Sequence, residues 1–374
     1  MYKGVGLLNR GNTCYLNAAL QLLGCADGLT SYITSGKWKR DVEDLESLHR
    51  GKKNQEDIVK VVQWWGLLQE RLHRMEPEKE GQMMVADPKM VQLWMGTAGR
   101  EWVSLHQQDS QEALGLLVDL MVEFMGMPIE IELELPRELK KKPERLALHQ
   151  KAWNSWTAHY TKKYSIWTEL FFGQEYIQCR CMGCGHTAHQ FDPFLFTFLD
   201  VDCLERGGAL CGNEPTWKWP WIEKFKEEPP QADYRCDECR VMGQTQRTVR
   251  WWRAPYYLLT VWRSFTGQES MRATNQFVVP SVGEVLEMGE WVAYEPGKVK
   301  YRLMGWVNHM GNLQGGHYRF VREPSPEFGN QTVVIDDDIM SEVEHNKVIP
   351  GRVYVGIWKR LDETIEESDY WRVS

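Results

Sequence analysis

Hydrophobic spacing divides this chain into a helical first part and a strand-rich second part. Up to about residue 165, apolar residues recur at intervals of three and four, as on one face of a helix. The clearest examples are Leu16, Leu20 and Leu23, and then Leu114, Leu117, Val118, Met121 and Met125. From about residue 170, alternating, β-branched and aromatic runs predominate, at 256–262, 299–307, 317–321 and 352–358. The pattern predicts helices followed by a mostly antiparallel sheet.

Polar and proline-rich stretches separate these regions. The segment PRELKKKPER (136–145) is typical of a surface linker or a helix start, and EEPPQAD (227–233) of a turn. The acidic segment LDETIEESD (361–369) is typical of a solvated tail. These segments lie between or beyond the predicted elements rather than within them.

Composition narrows the class of protein. A chain of 374 residues can bury a core without disulfides. Nine cysteines, with no signal-peptide pattern ahead of them, predict an intracellular location in the cytoplasm, the nucleus or both. The net charge of −8 disfavours a nucleic-acid binder. The chain contains no run of about 18 apolar residues, so the sequence predicts no membrane span. Met1 stands shortly before Cys14, so no N-terminal targeting domain is expected.

Eighteen tryptophans are many for this length. Trp217, Trp219 and Trp221 alternate along the chain, as on one face of a strand. Core packing explains them more simply than a stacking surface for a ligand.

A candidate nucleophile lies near the start of the chain. Cys14 follows a Gly/Asn turn and precedes an amphipathic helix, and the positive end of a helix dipole favours a thiolate. Asn9, in the same turn, is close enough in sequence to donate to an oxyanion beside Cys14. The alternative is that Cys14 is a small core residue and that Asn12 or Thr13 caps the helix.

A candidate base and its partner lie near the other end. His317 begins an alternating strand after Gly315 and Gly316, which allow a substrate to approach closely. Asp336 follows a β-branched run, and a hairpin would bring it beside His317 to orient the imidazole. Lone histidines are more often structural, and acidic triplets are more often solvated turns. Together, however, the three segments supply a nucleophile, a base and an orienting acid.

Two pairs of cysteines form a candidate metal site. Cys181 and Cys184 form one C-x-x-C pair, and Cys236 and Cys239 form another. Four thiolates in tetrahedral geometry would hold one structural zinc ion. Independent turns remain the alternative. The neighbouring residues that could replace a ligand or form a second site are Cys179, Cys203, Cys211, His186 and His189.

Several of these segments together resemble the ubiquitin-specific protease family. GLLNRGNTCYLNAALQ (6–21) is similar to the family's cysteine box, and GGHYRFVR (315–322) with VVIDDDIMSEV (333–343) is similar to its histidine box. QQDSQEAL (107–114) is similar to the start of a thumb helix, and 165–174 and 191–201 resemble the entry to the fingers and palm. The resemblance implies a papain-like α+β fold with a helical thumb, an antiparallel β palm and zinc-bearing β fingers.

The resemblance also implies roles for individual residues. Cys14, His317 and Asp336 would be the catalytic triad, with Asn9 in the oxyanion hole and Asp337 as a second supporting acid. Asp109 and Glu112 would bind the arginine-containing tail of ubiquitin, although D-x-x-E is also a helix capping box. The remaining tail contacts would be Gly315, Gly316 and Tyr318. In many members of the family, two C-x-x-C pairs at the fingertips bind zinc, and catalysis itself needs no cofactor.

The predicted domain organisation follows from the same resemblance. One catalytic domain is expected over 1–360 and an acidic tail over 361–374, and the domain comprises a thumb (1–165), fingers with part of the palm (166–250) and a palm (251–360). Two features depart from the family pattern. VWRSF (261–265) replaces a string that usually precedes a loop beside the cleft, and Ala113 replaces an aromatic residue.

The sequence therefore predicts a monomeric deubiquitinase that hydrolyses the bond after the C-terminal glycine of ubiquitin. Its partners would be ubiquitin and ubiquitinated proteins, with no nucleic acid and no membrane. The alternatives are a protease for another ubiquitin-like modifier and an inactive ubiquitin-binding scaffold. A zinc-dependent adaptor would leave the cysteine and histidine boxes unexplained.

Overall fold

The computed structural model of this chain describes most of its length. The described residues are 5–48, 55–74, 84–103, 106–129, 131–133, 141–201, 216–263, 279–294, 298–312, 315–324, 331–348, 353–361 and 371–373. Within these ranges, no helix is both long and apolar enough to cross a lipid bilayer.

The first part of the chain is helical, as predicted. Its helices are α1 (Cys14–Gly24), α2 (Asp27–Thr34), α3 (Lys37–Leu48), α4 (Gln55–Arg74), α5 (Lys89–Met95), α6 (Ser110–Met125), α7 (Pro143–Tyr160) and α8 (Ile166–Phe171). Two short strands, β1 (Gly6–Leu7) and β2 (Val85–Ala86), pair in parallel. Every residue of α1 is buried, and the helix packs against α6. The surroundings of α1 therefore fix the position of its first residue, Cys14.

The second part of the chain is dominated by strands. They are β4 (Gly173–Cys181), β5 (Thr187–Phe194), β6 (Phe196–Asp200), β7 (Thr245–Arg253), β8 (Tyr257–Arg263), β9 (Val285–Glu287), β10 (Lys300–Asn312), β11 (Gly315–Arg322), β12 (Thr332–Asp336), β13 (Ile339–Val343) and β14 (Val353–Arg360). One further helix, α9 (Trp219–Phe225), lies among them. The four apolar runs in the sequence correspond to β8, β10, β11 and β14, so these predictions are confirmed.

The strands form two sheets of different size. The large sheet has the order β13-β12-β11-β10-β14-β8-β6, with β9 paired to β10, and the finger sheet has the order β5-β4-β7. The pairing is antiparallel except between β6 and β8. The exception has a geometric cause. Since β5 and β7 both run antiparallel to β4, they share one direction, and β6 and β8 continue from them into the large sheet.

Hydrophobic residues fill both sides of the large sheet. Alternate residues of β11 and β12 face opposite sides, so that Phe320 and Ile335 pack with the helices, whereas Val321 and Val334 join a second cluster. That second cluster is rich in buried tryptophans, namely Trp217, Trp221, Trp251, Trp262, Trp306 and Trp358. Burial on both faces explains why the strands of this part carry long apolar runs rather than strict alternation.

The strand predicted for the three alternating tryptophans is wrong. Trp217 lies in a 3₁₀ turn, Thr216–Lys218, and Trp219 begins α9. Pro220 explains the difference, since proline is well tolerated in the first turn of a helix. Trp217 and Trp221 are buried, which agrees with a packing role.

Part of the expected C-terminal tail is also paired. Residues 362–370 lie outside the described part of the chain, but β15 (Trp371–Val373) pairs antiparallel with β3 (Ile131–Leu133). These three residues of the predicted tail are therefore a strand, since their backbone groups bond to a segment far away in the sequence. Local composition does not indicate such pairing.

Candidate active site

Cys14 is the first residue of α1, and the turn before it is built around the side chain of Asn9. The Asn9 Oδ1 atom accepts hydrogen bonds from the N–H of Gly11 (2.9 Å), the N–H of Thr13 (3.2 Å) and the Thr13 hydroxyl (3.2 Å). The turn takes left-handed backbone angles at Gly11 (φ 99°) and Asn12 (φ 56°), which these residue types adopt more readily than others. The GN pair in the sequence is therefore what allows the chain to turn into Cys14.

His317 and Asp336 meet because β11 and β12 are antiparallel neighbours. The His317 Nε2 atom lies 2.5 Å from the Asp336 Oδ1 atom. Since Nε2 is engaged, Nδ1 is the nitrogen left for the hydrogen bond between His317 and Cys14. The structure thus brings together the three residues that the sequence analysis predicted as nucleophile, base and orienting acid.

Electrostatics favour the protonated imidazole. The hydrogen bond with Cys14, and then the hydrogen bond and charge of Asp336, raise the pKa of His317 to about 9 against the opposing effect of burial. An imidazolium beside a thiol is the arrangement that favours a thiolate nucleophile at neutral pH.

Asp337 connects the β12–β13 turn to the segment around Cys14. Its Oδ2 atom accepts from Asn9 Nδ2 (2.8 Å), and its Oδ1 atom accepts from Asn17 Nδ2 (2.7 Å). Its backbone carbonyl accepts from the N–H of Leu7 (2.8 Å), and its φ is 52°. Asp337 is thus hydrogen-bonded to Asn9 rather than to the imidazole. An amide group has two N–H donors, so Asn9 can bond Asp337 and an oxyanion together.

Asn17 was not among the residues that the sequence analysis selected. It is 2% exposed and lies one helical turn after Cys14, in the middle of the buried helix α1. The available signal was a polar residue on a helix whose other residues are mostly apolar. Such a residue needs hydrogen-bond partners within the fold, and Asn17 Nδ2 donates to Asp337 and to the carbonyl of Leu7.

Asp109 occupies the N-cap position of α6. Its side chain accepts from the N–H groups of Gln111 (2.7 Å) and Glu112 (3.2 Å), and its second oxygen accepts from the Tyr354 hydroxyl (2.6 Å). Both carboxylate oxygens therefore bond within the protein. Glu112 is exposed on the first turn of α6.

Tyr318 is buried rather than presented to solvent, with 8% of its surface exposed. Its ring lies 4.5 Å from the ring of His309 and 6.1 Å from that of Tyr354, measured between centroids. Burial, and then the charge of Asp109, raise the pKa of Tyr318. These rings pack together within the large sheet, and the contact of Tyr318 with the ubiquitin tail stays a prediction.

The glycine pair before His317 is bonded to a residue that the sequence analysis did not select. Gln107 Nε2 donates to the carbonyl of Gly316 (2.8 Å), and Gln107 Oε1 accepts from its N–H (2.9 Å). A Cβ atom on Gly316 would lie 2.3 Å from His309 Nε2 and 2.6 Å from the carbonyl oxygen of Met310. Only glycine fits there. The Gln107 bonds link the segment before α6 to β11 directly beside His317.

The four cysteines of the two C-x-x-C pairs form one cluster at the end of the finger sheet. Cys181 and Cys239 have Sγ atoms 3.7 Å apart, as do Cys184 and Cys236. All four Sγ atoms lie within 4.8 Å of one another. A tetrahedron with Zn–S bonds of about 2.3 Å has S–S edges of about 3.8 Å, so the donor set fits a zinc ion.

Backbone amides within the two turns favour thiolates at Cys181 and Cys236, whereas burial and the hydrogen bonds with the other cysteine side chains raise the pKa of Cys239. Hydrogen bonds from the N–H groups of Cys184 and Gly183 lower the pKa of Cys181 to about 7. The N–H of Cys239 likewise lowers the pKa of Cys236. Among the described residues, the candidate metal cluster of cysteines contains these four and neither Cys179, His186 nor His189. Cys203 and Cys211 lie outside the described part of the chain.

The fold and most of the sequence match a known family. The family model described as ubiquitin carboxyl-terminal hydrolase matches residues 5–358. Among curated proteins, ubiquitin carboxyl-terminal hydrolase Usp2 of Drosophila melanogaster is 24% identical over 95% of this chain and 34% of its own length. Ubiquitin carboxyl-terminal hydrolase 2 of Rattus norvegicus is 25% identical over 85% of this chain and 48% of its own length. The chain thus spans about a third to a half of these relatives.

Solved structures share the fold at lower sequence identity. The SAGA DUB module Ubp8/Sgf11/Sus1/Sgf73 bound to ubiquitin aldehyde includes a chain that superposes with a TM-score of 0.65 at 16% identity, over 96% of this chain and 70% of that chain. A form bound to monoubiquitin gives a TM-score of 0.66 at 16% identity, over 96% of this chain and 69% of that chain. The predicted fold class, a papain-like α+β fold of the ubiquitin-specific protease type, is confirmed.

Proposed function

Since this chain belongs to the ubiquitin carboxyl-terminal hydrolase family, we propose that it is a deubiquitinase that cleaves the bond after the C-terminal glycine of ubiquitin. The observation that carries the proposal is the alignment of Cys14, His317 and Asp336, with Asn9 held beside them by Asp337. A thiol, a base and an orienting acid in hydrogen-bonding contact are what nucleophilic catalysis by cysteine requires. The bond cleaved is an isopeptide or peptide bond.

Acylation begins from the ion pair in which the Cys14 proton is already on His317, so that a thiolate faces an imidazolium. The Cys14 sulfur then attacks the glycine carbonyl carbon, and the carbonyl electrons move to oxygen. The free N–H of the Asn9 side chain and a backbone amide stabilise that oxyanion. When the oxyanion reforms the carbonyl, the C–N bond breaks, and His317 gives its proton to the departing amine. A thioester between ubiquitin and Cys14 remains.

Deacylation uses the same groups with water as the nucleophile. Neutral His317 takes a proton from a water molecule, whose oxygen attacks the thioester carbon. Collapse of the second oxyanion expels the Cys14 sulfur and releases ubiquitin with a free carboxylate. Asp336 keeps the imidazole in one orientation through both steps and stabilises the imidazolium that forms in each.

Gly315 and Gly316 support a narrow channel for the paired glycines at the end of ubiquitin. The absence of side chains at these positions brings the backbone close to the reacting carbonyl, and the bonds from Gln107 to Gly316 hold that backbone in place. Tail binding by Asp109 and Glu112 stays a prediction. It requires Asp109 to bind an arginine while it caps α6, and a carboxylate has the lone pairs for this.

The cysteine cluster is proposed to hold one structural zinc ion. The ligands would be Cys181, Cys184, Cys236 and Cys239, whose spacing fits tetrahedral coordination. Four protein ligands leave no open position for water, so the ion would stabilise the fingers and take no part in hydrolysis. Because both this site and Cys14 need reduced thiols, we infer an intracellular, reducing compartment.

The direct test is reaction with ubiquitin that carries a C-terminal electrophile. The wild-type protein should form a covalent adduct, whereas Cys14→Ala should form none and Cys25→Ala, a change in a buried thiol outside the site, should still react. A probe built on another ubiquitin-like modifier serves as the specificity control. An adduct with that probe alone would reassign the substrate. No adduct from a folded protein would favour an inactive ubiquitin-binding scaffold.

A further inference from the structure

A groove lies on the face of β11, β12 and β13 that carries the His317–Asp336 pair. Its volume is about 280 Å³, and Asp336 lines one end of it. The strand register explains this position. Val334 lies opposite both Val321 and Ser341, and Asp336 lies opposite Ile339, so alternate residues of the three strands share one face. The groove therefore begins at the carboxylate that orients the base.

The lining of the groove is apolar with two cationic groups. Val334, Ile339 and Val343 contribute apolar surface, and Arg319 and Lys347 contribute the positive charges. The Nε atom of Arg319 is buried and has no hydrogen-bond acceptor among the described residues. Because this nitrogen is closed to solvent, a ligand in the groove cannot reach it. Arg319 itself lines the groove, however, and a guanidinium forms charge-assisted hydrogen bonds with carboxylates.

Asp336 lines the groove and Glu344 contacts its Lys347, and each of these acids already has a cationic partner. Asp336 bonds to His317, and Glu344 pairs with Lys347 at 3.0 Å. The Lys347 and Glu344 side chains are 68% and 65% exposed, so that this pair is weak and exchanges readily. Arg319 is left as the positive charge that is not neutralised by either acid.

The position of the groove relative to the base indicates which part of a substrate could reach it. The proposed path for the ubiquitin tail lies at Gly315 and Gly316, where β11 pairs with β10 and contacts Gln107. The groove lies on the other neighbours of β11, namely β12 and β13. In the proposed reaction the departing lysine amine takes its proton from His317, whose partner Asp336 lines the groove, so the protein attached to that lysine leaves beside this end of the groove.

We propose that the groove binds an acidic side chain of the ubiquitinated protein, next to the modified lysine. The inference rests on the proposed deubiquitinase function. Arg319 would form the charge-assisted hydrogen bond, Lys347 would add attraction, and the apolar lining would contact the methylene groups of a glutamate. The enzyme would thereby prefer conjugates whose modified lysine has acidic neighbours.

The test compares two ubiquitin–peptide isopeptide conjugates that differ only in the residues beside the lysine, glutamate in one and glutamine in the other. For the wild-type protein, kcat/KM should be about three- to tenfold higher with the glutamate peptide, and the ratio should fall as salt is added. Arg319→Gln and Lys347→Gln should each lower the ratio, and the double variant should bring it close to one. Lys162→Gln, a change in an exposed lysine outside the groove, should keep the wild-type ratio.

Both values of kcat/KM are measured on the same protein preparation. Partial misfolding of a variant therefore lowers both values equally and leaves their ratio unchanged. Equal cleavage of the two peptides by the wild-type protein would overturn the inference. An Arg319→Gln variant that cleaves both conjugates more slowly by the same factor would also overturn it, because Arg319 would then act only on Asp336. The electrophile probe has no peptide on the leaving side. If the protein forms an adduct with that probe but cleaves the two peptide conjugates equally, only this inference is overturned. If it forms no adduct and cleaves neither conjugate, the proposed function is overturned as well.

Discussion

Three aspartates near Cys14 have different partners, and the partner decides what each can do. Asp336 bonds the imidazole of His317, Asp337 bonds the side-chain amides of Asn9 and Asn17, and Asp109 bonds backbone N–H groups at the start of α6. Residue type alone does not separate these roles. At the scale of single residues, the structure therefore adds the direction in which each carboxylate points.

The protonation of His317 can be measured directly. We expect an apparent pKa near 9 for its imidazole in the wild-type protein, falling towards 6.5 in Cys14→Ala, because the Cys14 hydrogen bond is the largest cause of the raised value. Asp336→Asn should lower the pKa by a smaller amount. An NMR titration of the imidazole carbons measures this. A value in Cys14→Ala as high as in the wild type would contradict the pairing.

The raised pKa of His317 also determines how the stability of the folded protein changes with pH. The folded state binds the His317 proton more tightly than the unfolded state does, because its pKa is about 9 instead of 6.5. The stabilisation is fully present below pH 6.5 and is lost as the pH rises through 9. The midpoint of urea unfolding should therefore fall over that interval, and by less in Asp336→Asn. An equal fall in both proteins would exclude His317 as the cause.

Asp337 offers a test of how Asn9 is positioned. Asp337→Gly keeps the left-handed backbone at φ 52° but removes both side-chain hydrogen bonds. We expect kcat for a fluorogenic ubiquitin substrate to fall by about tenfold or more, with KM nearly unchanged, since a mobile Asn9 stabilises the oxyanion less well. Asp338→Gly, a change in the exposed neighbour, is the matched control. Equal kcat for the two variants would argue against the Asn9 contact.

At the scale of elements, two helices and two strands carry the candidate site. The buried helix α1 carries Cys14 at its first residue, α6 begins at the Asp109 cap, β11 carries Gly316 and His317, and β12 ends at Asp336. The Tyr354 hydroxyl bonds the Asp109 side chain from β14, and Gln107, just before α6, bonds β11. The start of α6 thus fastens the helical part of the chain to the large sheet beside His317.

The capping role of Asp109 is expected to appear as stability. Asp109→Ala removes the acceptor for two N–H groups of α6 and for the Tyr354 hydroxyl. We expect the free energy of unfolding to fall by about 1–2 kcal/mol. Asp109→Ser, which can still cap the helix, should recover part of the loss. Urea unfolding measures both variants, and a change below about 0.3 kcal/mol in Asp109→Ala would contradict the cap.

At the scale of the whole molecule, the proposed catalytic residues and the cysteine cluster that fits a zinc ion lie in different parts of the fold. Cys14 belongs to the helical part, and His317 and Asp336 belong to the large sheet, so the triad is complete only when the two parts pack together. The cysteine cluster lies in the finger sheet and the turns that follow it, where Cys181 ends β4. Loss of metal should therefore affect the fingers first and the chemistry of Cys14 only indirectly.

Metal analysis checks this separation. Protein purified without chelator should contain about one zinc per chain, and Cys236→Ser should lower both the zinc content and the thermal stability. Cys179→Ser, a change in a nearby cysteine outside the cluster, should keep the metal. The Cys236→Ser protein should keep reacting with a small alkylating reagent at Cys14. No zinc in the wild-type protein would remove the metal proposal and leave the hydrolase proposal in place.

The sequence by itself determined the order of the elements and the residue types of the chemistry. Helical periodicity located α1 and α6, apolar runs located β8, β10, β11 and β14, and the two boxes and two C-x-x-C pairs selected the triad and the cluster. Local rules sufficed because each signal depends on neighbours within one helix or strand, and because the boxes are short continuous segments.

Only the tertiary structure decided which groups meet across long distances in the chain. The partners of Asp337, the bonds from Gln107 to Gly316, the groove beside Asp336 and the pairing of β3 with β15 all join segments that are remote in sequence. Side-chain direction within the packed fold sets such contacts, and no local pattern specifies it. Helix α9 is another case in which the local pattern was not sufficient. The alternating tryptophans predicted a strand, whereas Pro220 and packing in the surrounding core favour a helix.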